Sequence, residues 1–270
     1  MVNKIISKVY LVLMFTFLYA PIFILIFFSF NSSKSMGHFT GFSLKWYVEL
    51  WNNTRLHEAF FNTVIIAVIT TIVSTIFGTI TAIGIYNLSK RAKSFVLNTN
   101  YIPIINPDIV TAVSLMILYM SIQLILSKIG IDFQLGFFTM LLSHIVFSLP
   151  YVILSILPRL YALNPNIVEV ALDLGATPNQ AIRKVVIPEI MPGIIAGALI
   201  AFTMSIDDFV ISYFTTGNGV TNISIEIYSM AKRRITPDIN ALASIMVILV
   251  IFGVTLFNII QNRKVKETSK

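Results

Sequence analysis

Six long apolar runs dominate this chain and leave it few folds to choose from. They are Tyr10 to Phe30, Phe60 to Tyr86, Tyr101 to Ser127, Leu135 to Leu157, Ile190 to Ile206 and Ala241 to Ile260. A helix crosses the hydrocarbon of a bilayer with about 20 predominantly apolar residues, and each run meets or approaches that length. The runs lack the alternation of an outer-membrane barrel strand, so helices are the expected form. Composition agrees: 56% of the 270 residues are hydrophobic and 11% charged, too apolar a balance for a soluble domain. The first run follows Lys4 and Lys8 in the manner of a secretory signal. It is too long for one and lacks a convincing small-residue cleavage site, so it is read as an anchor that stays.

Lys and Arg in short loops are retained on the cytoplasmic side, and this sets the expected orientation. With the N-terminus inside, Lys4, Lys8, Lys90, Arg91, Lys93, Arg159, Arg183, Lys184, Arg263, Lys264, Lys266 and Lys270 are cytoplasmic. Lys34, Lys45, Arg55, Lys128, Lys232, Arg233 and Arg234 fall outside, so the larger share favours both termini in the cytoplasm. Lys232, Arg233 and Arg234 run against the rule. The net charge of +7 is then explained by basic loops at an anionic leaflet, without nucleic acid.

Zero cysteines exclude disulfides and thiolate metal sites. His38, His57 and His144 have no metal-ligand spacing, and His144, inside the fourth run, reads as a hydrogen-bonded packing residue. No P-loop, GxSxG elbow or HExxH pair is present. No metal or cofactor is expected, and any ATP used is bound by another chain.

Between the fourth and fifth runs lies a polar insert punctuated as two short helices. Asn164-Pro165 opens the first, as N-cap and first helical residue, and Gly175 closes it in the left-handed conformation. Thr177, Pro178 and Gln180 open the second with a reciprocal capping box. Val168, Ala171, Leu172 and Leu174 form an apolar set that, in an aqueous loop, calls for a partner groove.

This insert resembles the EAA loop of binding-protein-dependent ABC import permeases. Glu169, Ala171, Gly175 and Pro188 match that pattern, with Val170, Val185 and Ile187 as conservative apolar departures. Further on, Ser205 to Gly217, Ile227 to Met230 and Thr236 to Ala241 resemble permease subunits of spermidine/putrescine importers. So do Pro21 to Asn31 and Phe42 to Tyr47 nearer the N-terminus. The resemblance implies an all-α, six-helix bundle of the MetI-like type in the cytoplasmic membrane of a bacterium. It implies a second, homologous permease subunit, a cytoplasmic ABC ATPase dimer, an extracytoplasmic polyamine-binding protein and a polyamine substrate as partners, besides membrane lipid. Contact with the ATPase would fall to Glu169, Ala171, Leu172, Gly175, Ala176 and Thr177. The expected division is residues 1–58, a core of 59–262 with the coupling loop at 159–188, and a basic tail at 263–270.

A pathway for polyamines needs carboxylates to replace water lost by the ammonium groups, and aromatic faces for methylenes and charge. An acidic residue in a span costs about 2.5 to 3.5 kcal/mol on insertion scales, so each one asks for a reason. Asp207 and Asp208, in the outer half of the fifth span, are joint site candidates, with a structural ion pair as the alternative. Adjacent residues differ by about 100° around a helix, so the two are not expected to face one cavity equally. Asp108 reads both as the early residue of a helix restarting after Pro103, with Asn106 as N-cap, and as a cavity carboxylate. Trp46, after Ser43 as N-cap, reads as an interfacial anchor like Trp51 or as a cation–π contact at the entrance. Tyr213, Glu226 and Tyr228 are further candidates on the outer side, where the loop could equally grip a binding protein. Gly193 with Gly197, and Gly78 with Ala82, are small-residue pairs for close helix approach. Absence of internal duplication argues against an inverted-repeat carrier, and transport without nucleotide would mark a stand-alone carrier or channel. A different small solute for the same machine is the other alternative.

Overall fold

The computed structural model describes residues 2–34, 38–217, 219–233 and 237–268. Arg234, Thr236 and Lys270 therefore lie outside the described residues. Among the described residues twelve α-helices follow one another: α1 (Val2–Phe28), α2 (Lys45–Trp51), α3 (Thr54–Tyr86), α4 (Lys90–Ile105), α5 (Asp108–Ser127), α6 (Phe137–Tyr161), α7 (Ile167–Asp173), α8 (Pro178–Ala181), α9 (Ile187–Asp207), α10 (Val210–Thr215), α11 (Ile223–Arg233) and α12 (Pro237–Thr268). A π-helical turn, Ile182–Val186, joins α8 to α9. No strand occurs among the described residues, only an isolated bridge between Asn31 and Phe42.

Among the described residues, six helical stretches are long and apolar enough to cross a membrane: Ile6–Phe28, Thr54–Tyr86, Asp108–Ser127, Phe137–Tyr161, Pro178–Asp207 and Pro237–Thr255. These are the six runs of the sequence, with different ends. The third is shorter than expected, because Pro103 sits inside α4 and the chain breaks at Asn106-Pro107 instead. Asn106 precedes a proline, which disfavours the helical conformation, and its ψ of 140° is extended. Asn106 is therefore the C-cap of α4, not the N-cap of α5, and Pro107 takes that place. α12 continues through the basic residues near the C-terminus to Thr268.

The chain forms two compact units, Met1–Glu58 with Glu226–Phe252, and Ala59–Ile225 with Gly253–Lys270. In the first, large apolar side chains along α1 from Ile6 to Phe27 stand exposed, as suits a helix solvated by lipid. Below it the chain knots around Asn31. The Asn31 side chain accepts from the Thr40 amide at 2.9 Å and donates to the His38 carbonyl at 3.0 Å. Ser29 and Tyr47 share a hydrogen bond of 2.7 Å, and the Phe30 and Phe42 rings stack with centroids 5.2 Å apart.

The second unit is built on α6 against α9. Val152 on α6 is completely buried, because small residues let two other helices close on it. A Cβ on Gly78 of α3 would lie 2.6 Å from Val152 Cγ1, and one on Gly197 of α9 would lie 3.1 Å from the same atom. One glycine from each small-residue pair thus meets the same side chain, where dispersion between close helices replaces the hydrophobic effect that lipid cannot supply. Ile153, Ile156, Leu157, Leu160, Val186 and Ile190 complete the core. Polar links cross the same unit: Tyr119 of α5 meets Ser143 of α6 at 2.9 Å, and Ser74 of α3 donates to the Ile145 carbonyl at 3.2 Å.

Candidate functional site

The insert between α6 and α9 follows local rules closely. α7 ends in a Schellman closure, with the Ala176 amide donating to the Ala171 carbonyl at 3.0 Å and the Gly175 amide to Leu172 at 2.9 Å. Gly175 carries the required positive φ, +86°, and nothing lies within 4 Å of where its Cβ would be. Gly175→Ala therefore brings strain without a clash, and is expected to cost the local fold about 1 to 2 kcal/mol. Faster hydrogen exchange at the Gly175 and Ala176 amides would show it. The α8 capping box is also present: the Thr177 amide donates to Gln180 Oε1 at 3.0 Å and the Gln180 amide to Thr177 Oγ1 at 3.3 Å. The start of α7 lies two residues later than expected, with Asn166 as N-cap. Asn164 instead makes a turn, its Oδ1 accepting from the Asn166 amide at 3.0 Å.

The apolar set on this insert divides between two surroundings. Val168 packs on the core of the second unit and Ala171 is buried. Val170, Leu172 and Leu174 are exposed, Leu174 at 83%. Glu169 stands exposed in the first turn of α7, and Thr177 is exposed as well. One side of α7 is thus anchored to its own bundle and the other presents apolar surface.

α9 runs from this insert to the aspartate pair, about 30 Å at 1.5 Å per residue, so loop and carboxylates stand at opposite ends of one rod. The span stops at Asp207, with Asp208 extended (ψ 123°) before α10 begins. Asp208 turns inward, its side chain 9% exposed. Its Oδ2 accepts from the Ser212 amide at 2.8 Å and its Oδ1 from the Ile211 amide at 3.2 Å, which caps the first turn of α10. Oδ2 also lies 3.5 Å from His144 Nε2. Asp207 is exposed, and no ion pair or hydrogen bond joins its carboxylate to another side chain among the described residues.

His144 is the residue whose reach the sequence did not disclose. Its Nδ1 lies 2.8 Å from Ser205 Oγ on α9, and its Nε2 lies 2.8 Å from Ser212 Oγ on α10. Asn222 donates to Ser212 Oγ at 2.8 Å. His144, Ser205, Ser212 and Asn222 are all buried. The available signal was the pair of serines flanking Asp207 and Asp208, which makes sense only once α6 is laid beside them.

The remaining candidates are dispersed. Asp108 is exposed in the first turn of α5, where the helix dipole favours a carboxylate. Tyr213 is half-exposed on α10, its ring 5.3 Å from Phe209 and 5.5 Å from Phe214. Tyr228 is also half-exposed. In the first unit, Glu226 is buried and its Oε1 accepts from Arg55 Nε at 2.9 Å.

Trp46 is 2% exposed, packed within the first unit. Its indole N–H donates to the Asn31 carbonyl at 2.6 Å, and Lys45 Nζ stands 5.2 Å from its ring centroid. The reason is the knot around Asn31, which draws α2 inward. Ser43 is not the helix N-cap, which falls at Leu44, although its Oγ accepts from the Lys45 amide at 3.1 Å. Trp51, by contrast, is exposed as an interfacial residue would be.

A multi-pass helical bundle with a capped, half-anchored insert before its fifth span defines a membrane transport permease. The sequence of residues 74–269 matches the family of binding-protein-dependent transport system inner membrane components, and the chain belongs to that family. It is 37% identical over 266 residues to the spermidine/putrescine transport system permease protein PotC of Escherichia coli (strain K12), covering 98% of this chain and 97% of that protein. It is 37% identical over 242 residues to the putrescine transport system permease protein PotI of the same strain, covering 88% and 84%. In fold it is similar to a chain of a bacterial alginate ABC transporter crystallised with an alginate pentasaccharide-bound periplasmic protein. There the TM-score is 0.74 at 19% identity, over 100% of this chain and 95% of that one.

Proposed function

We propose that this chain is the permease subunit of an ATP-driven importer of polyamines, spermidine or putrescine, in a bacterial cytoplasmic membrane. It forms half of the pathway with a second, homologous permease. Both termini and the α7–α8 insert face the cytoplasm, where an ABC ATPase dimer grips the insert through Glu169, Ala171, Leu172, Gly175, Ala176 and Thr177. A binding protein on the other face delivers the substrate. This chain performs no covalent chemistry and binds no nucleotide; closure of the ATPase pair is carried through the insert and along α9, so that access alternates between the two sides.

The observation that carries this reading is the similarity, along nearly the whole chain, to permeases named for spermidine and putrescine. The site supports it chemically. An exposed carboxylate at the end of a span, Asp207, beside aromatic Phe209 and Tyr213, suits a chain of ammonium groups and methylenes. Asp108 is a second exposed carboxylate of the same unit, and Glu226, paired with Arg55, a candidate on the first.

Vesicles holding the chain with its ATPase, second permease and binding protein test the proposal. Labelled polyamine should accumulate with ATP and not without it. Accumulation of equal size without nucleotide would instead indicate a secondary carrier. ATP-driven uptake of another solute, with none of polyamine, would reject the substrate.

A further inference from the structure

Two adjacent aspartates meet opposite fates here. Asp208 is engaged by two backbone amides and faces the His144 imidazole, whereas Asp207, one residue earlier, has no cation and no side-chain donor among the described residues. The difference comes from the break between α9 and α10, and the break is held from outside by α6. His144 reaches across it to Ser205 on one side and Ser212 on the other, and Asn222 closes the ring through Ser212 and, at 3.4 Å, the Asp208 carbonyl. The Asp208 carboxylate keeps lone pairs beyond those given to the two amides, but it is buried, so a passing cation reaches them only if the packing around the break opens. The exposed Asp207 carboxylate accepts from no other side chain among the described residues, so a cation meets it without opening that packing.

We infer that His144 is a positioning residue of the transport pathway: it clasps the α9–α10 break so that, of the two adjacent aspartates, Asp208 is withheld and Asp207 presents its carboxylate to the cation. This rests on the polycation reading of the substrate, while the clasp itself can be tested without substrate. The chain has no cysteine, so single cysteines at these positions are unique within it.

In the assembled transporter in vesicles, with the partner chains made cysteine-free, a positively charged methanethiosulfonate reagent is the probe. Asp207→Cys should react about tenfold faster than Asp208→Cys, because thiol reactivity follows exposure. His144→Ala should raise the rate at Asp208→Cys towards that at Asp207→Cys. His144→Gln, which keeps a polar side chain able to bond both serines, should restore protection. Equal rates at the two positions, or protection that survives His144→Ala, would overturn the inference, and the rate ratio needs no change at His144 should that variant fail to assemble.

Uptake supplies the second readout. Asp207→Asn should raise the polyamine concentration giving half-maximal uptake about tenfold, the loss of one charge-assisted contact. Asp208→Asn should raise it no more than about twofold, since Asn caps a helix as well as Asp does. A tenfold rise for Asp208→Asn would show that its charge is felt by the substrate and sink the clasp. Wild-type vesicles that move no polyamine would reject the substrate reading, leaving the cysteine rates to decide the clasp.

Discussion

Leu172→Asp is expected to abolish coupled transport while leaving the chain folded in its membrane. Leu172 and Leu174 are 39% and 83% exposed on the side of α7 away from their own bundle, so a charge there disturbs little within the chain. Exposed substitutions of this kind usually change stability by no more than about 0.5 kcal/mol. An apolar anchor of a partner interface, by contrast, typically loses about 2 kcal/mol or more when removed, and a charge in the partner groove adds a desolvation cost. ATP-driven uptake in reconstituted vesicles should fall by roughly thirtyfold or more, with the amount of membrane-inserted chain unchanged. Leu174→Asp should behave alike. Glu169→Ala should uncouple ATP turnover from uptake in milder form, because that side chain is charged, exposed and at the start of the same helix. Uptake at the wild-type rate in all three variants would remove the insert from the coupling path.

Gly193→Val is expected to do the reverse, destroying assembly before any question of transport arises. A Cβ at that position would lie 2.9 Å from the Ser155 carbonyl oxygen and 3.2 Å from Ile156 Cα, both backbone atoms of α6 that cannot swing aside. α9 must move away from α6, and the contacts around the buried Val152 and Ile156 are lost with it. Overpacking of a tight core costs about 1 to 3 kcal/mol, and the branched side chain brings two further carbons to the same place. Gly84→Val is the control, since nothing stands within 4 Å of its Cβ position. Detergent-solubilised chain should show a lowered unfolding midpoint and poor recovery for Gly193→Val and near wild-type values for Gly84→Val. Equal stability of the two would mean that the α6–α9 packing is looser than described.

Much of this protein was legible from residues close together in the chain. Each of the six spans follows from a continuous apolar run, because the hydrocarbon admits only segments that satisfy their own backbone. The closure of α7 at Gly175 and the box between Thr177 and Gln180 are bonds across no more than five residues, so their signals lie within one short stretch of sequence. The family resemblance rests on short stretches of the same kind, in the insert and beyond it.

What the tertiary structure decided has the opposite character. His144 meets partners 61 and 68 residues away, and Arg55 meets Glu226 across 171, so no window of sequence contains both members of either contact. The burial of Trp46 is of the same kind, its indole N–H bonding a carbonyl at Asn31 and not a neighbour on α2. The choice between two prolines as the break before α5 belongs here as well, since either could end a helix. Periodicity and capping fix which segments form helices, because they depend on backbone bonds made nearby. Which of Asp207 and Asp208 is buried depends on which helix lies beside the break, and only packing decides that.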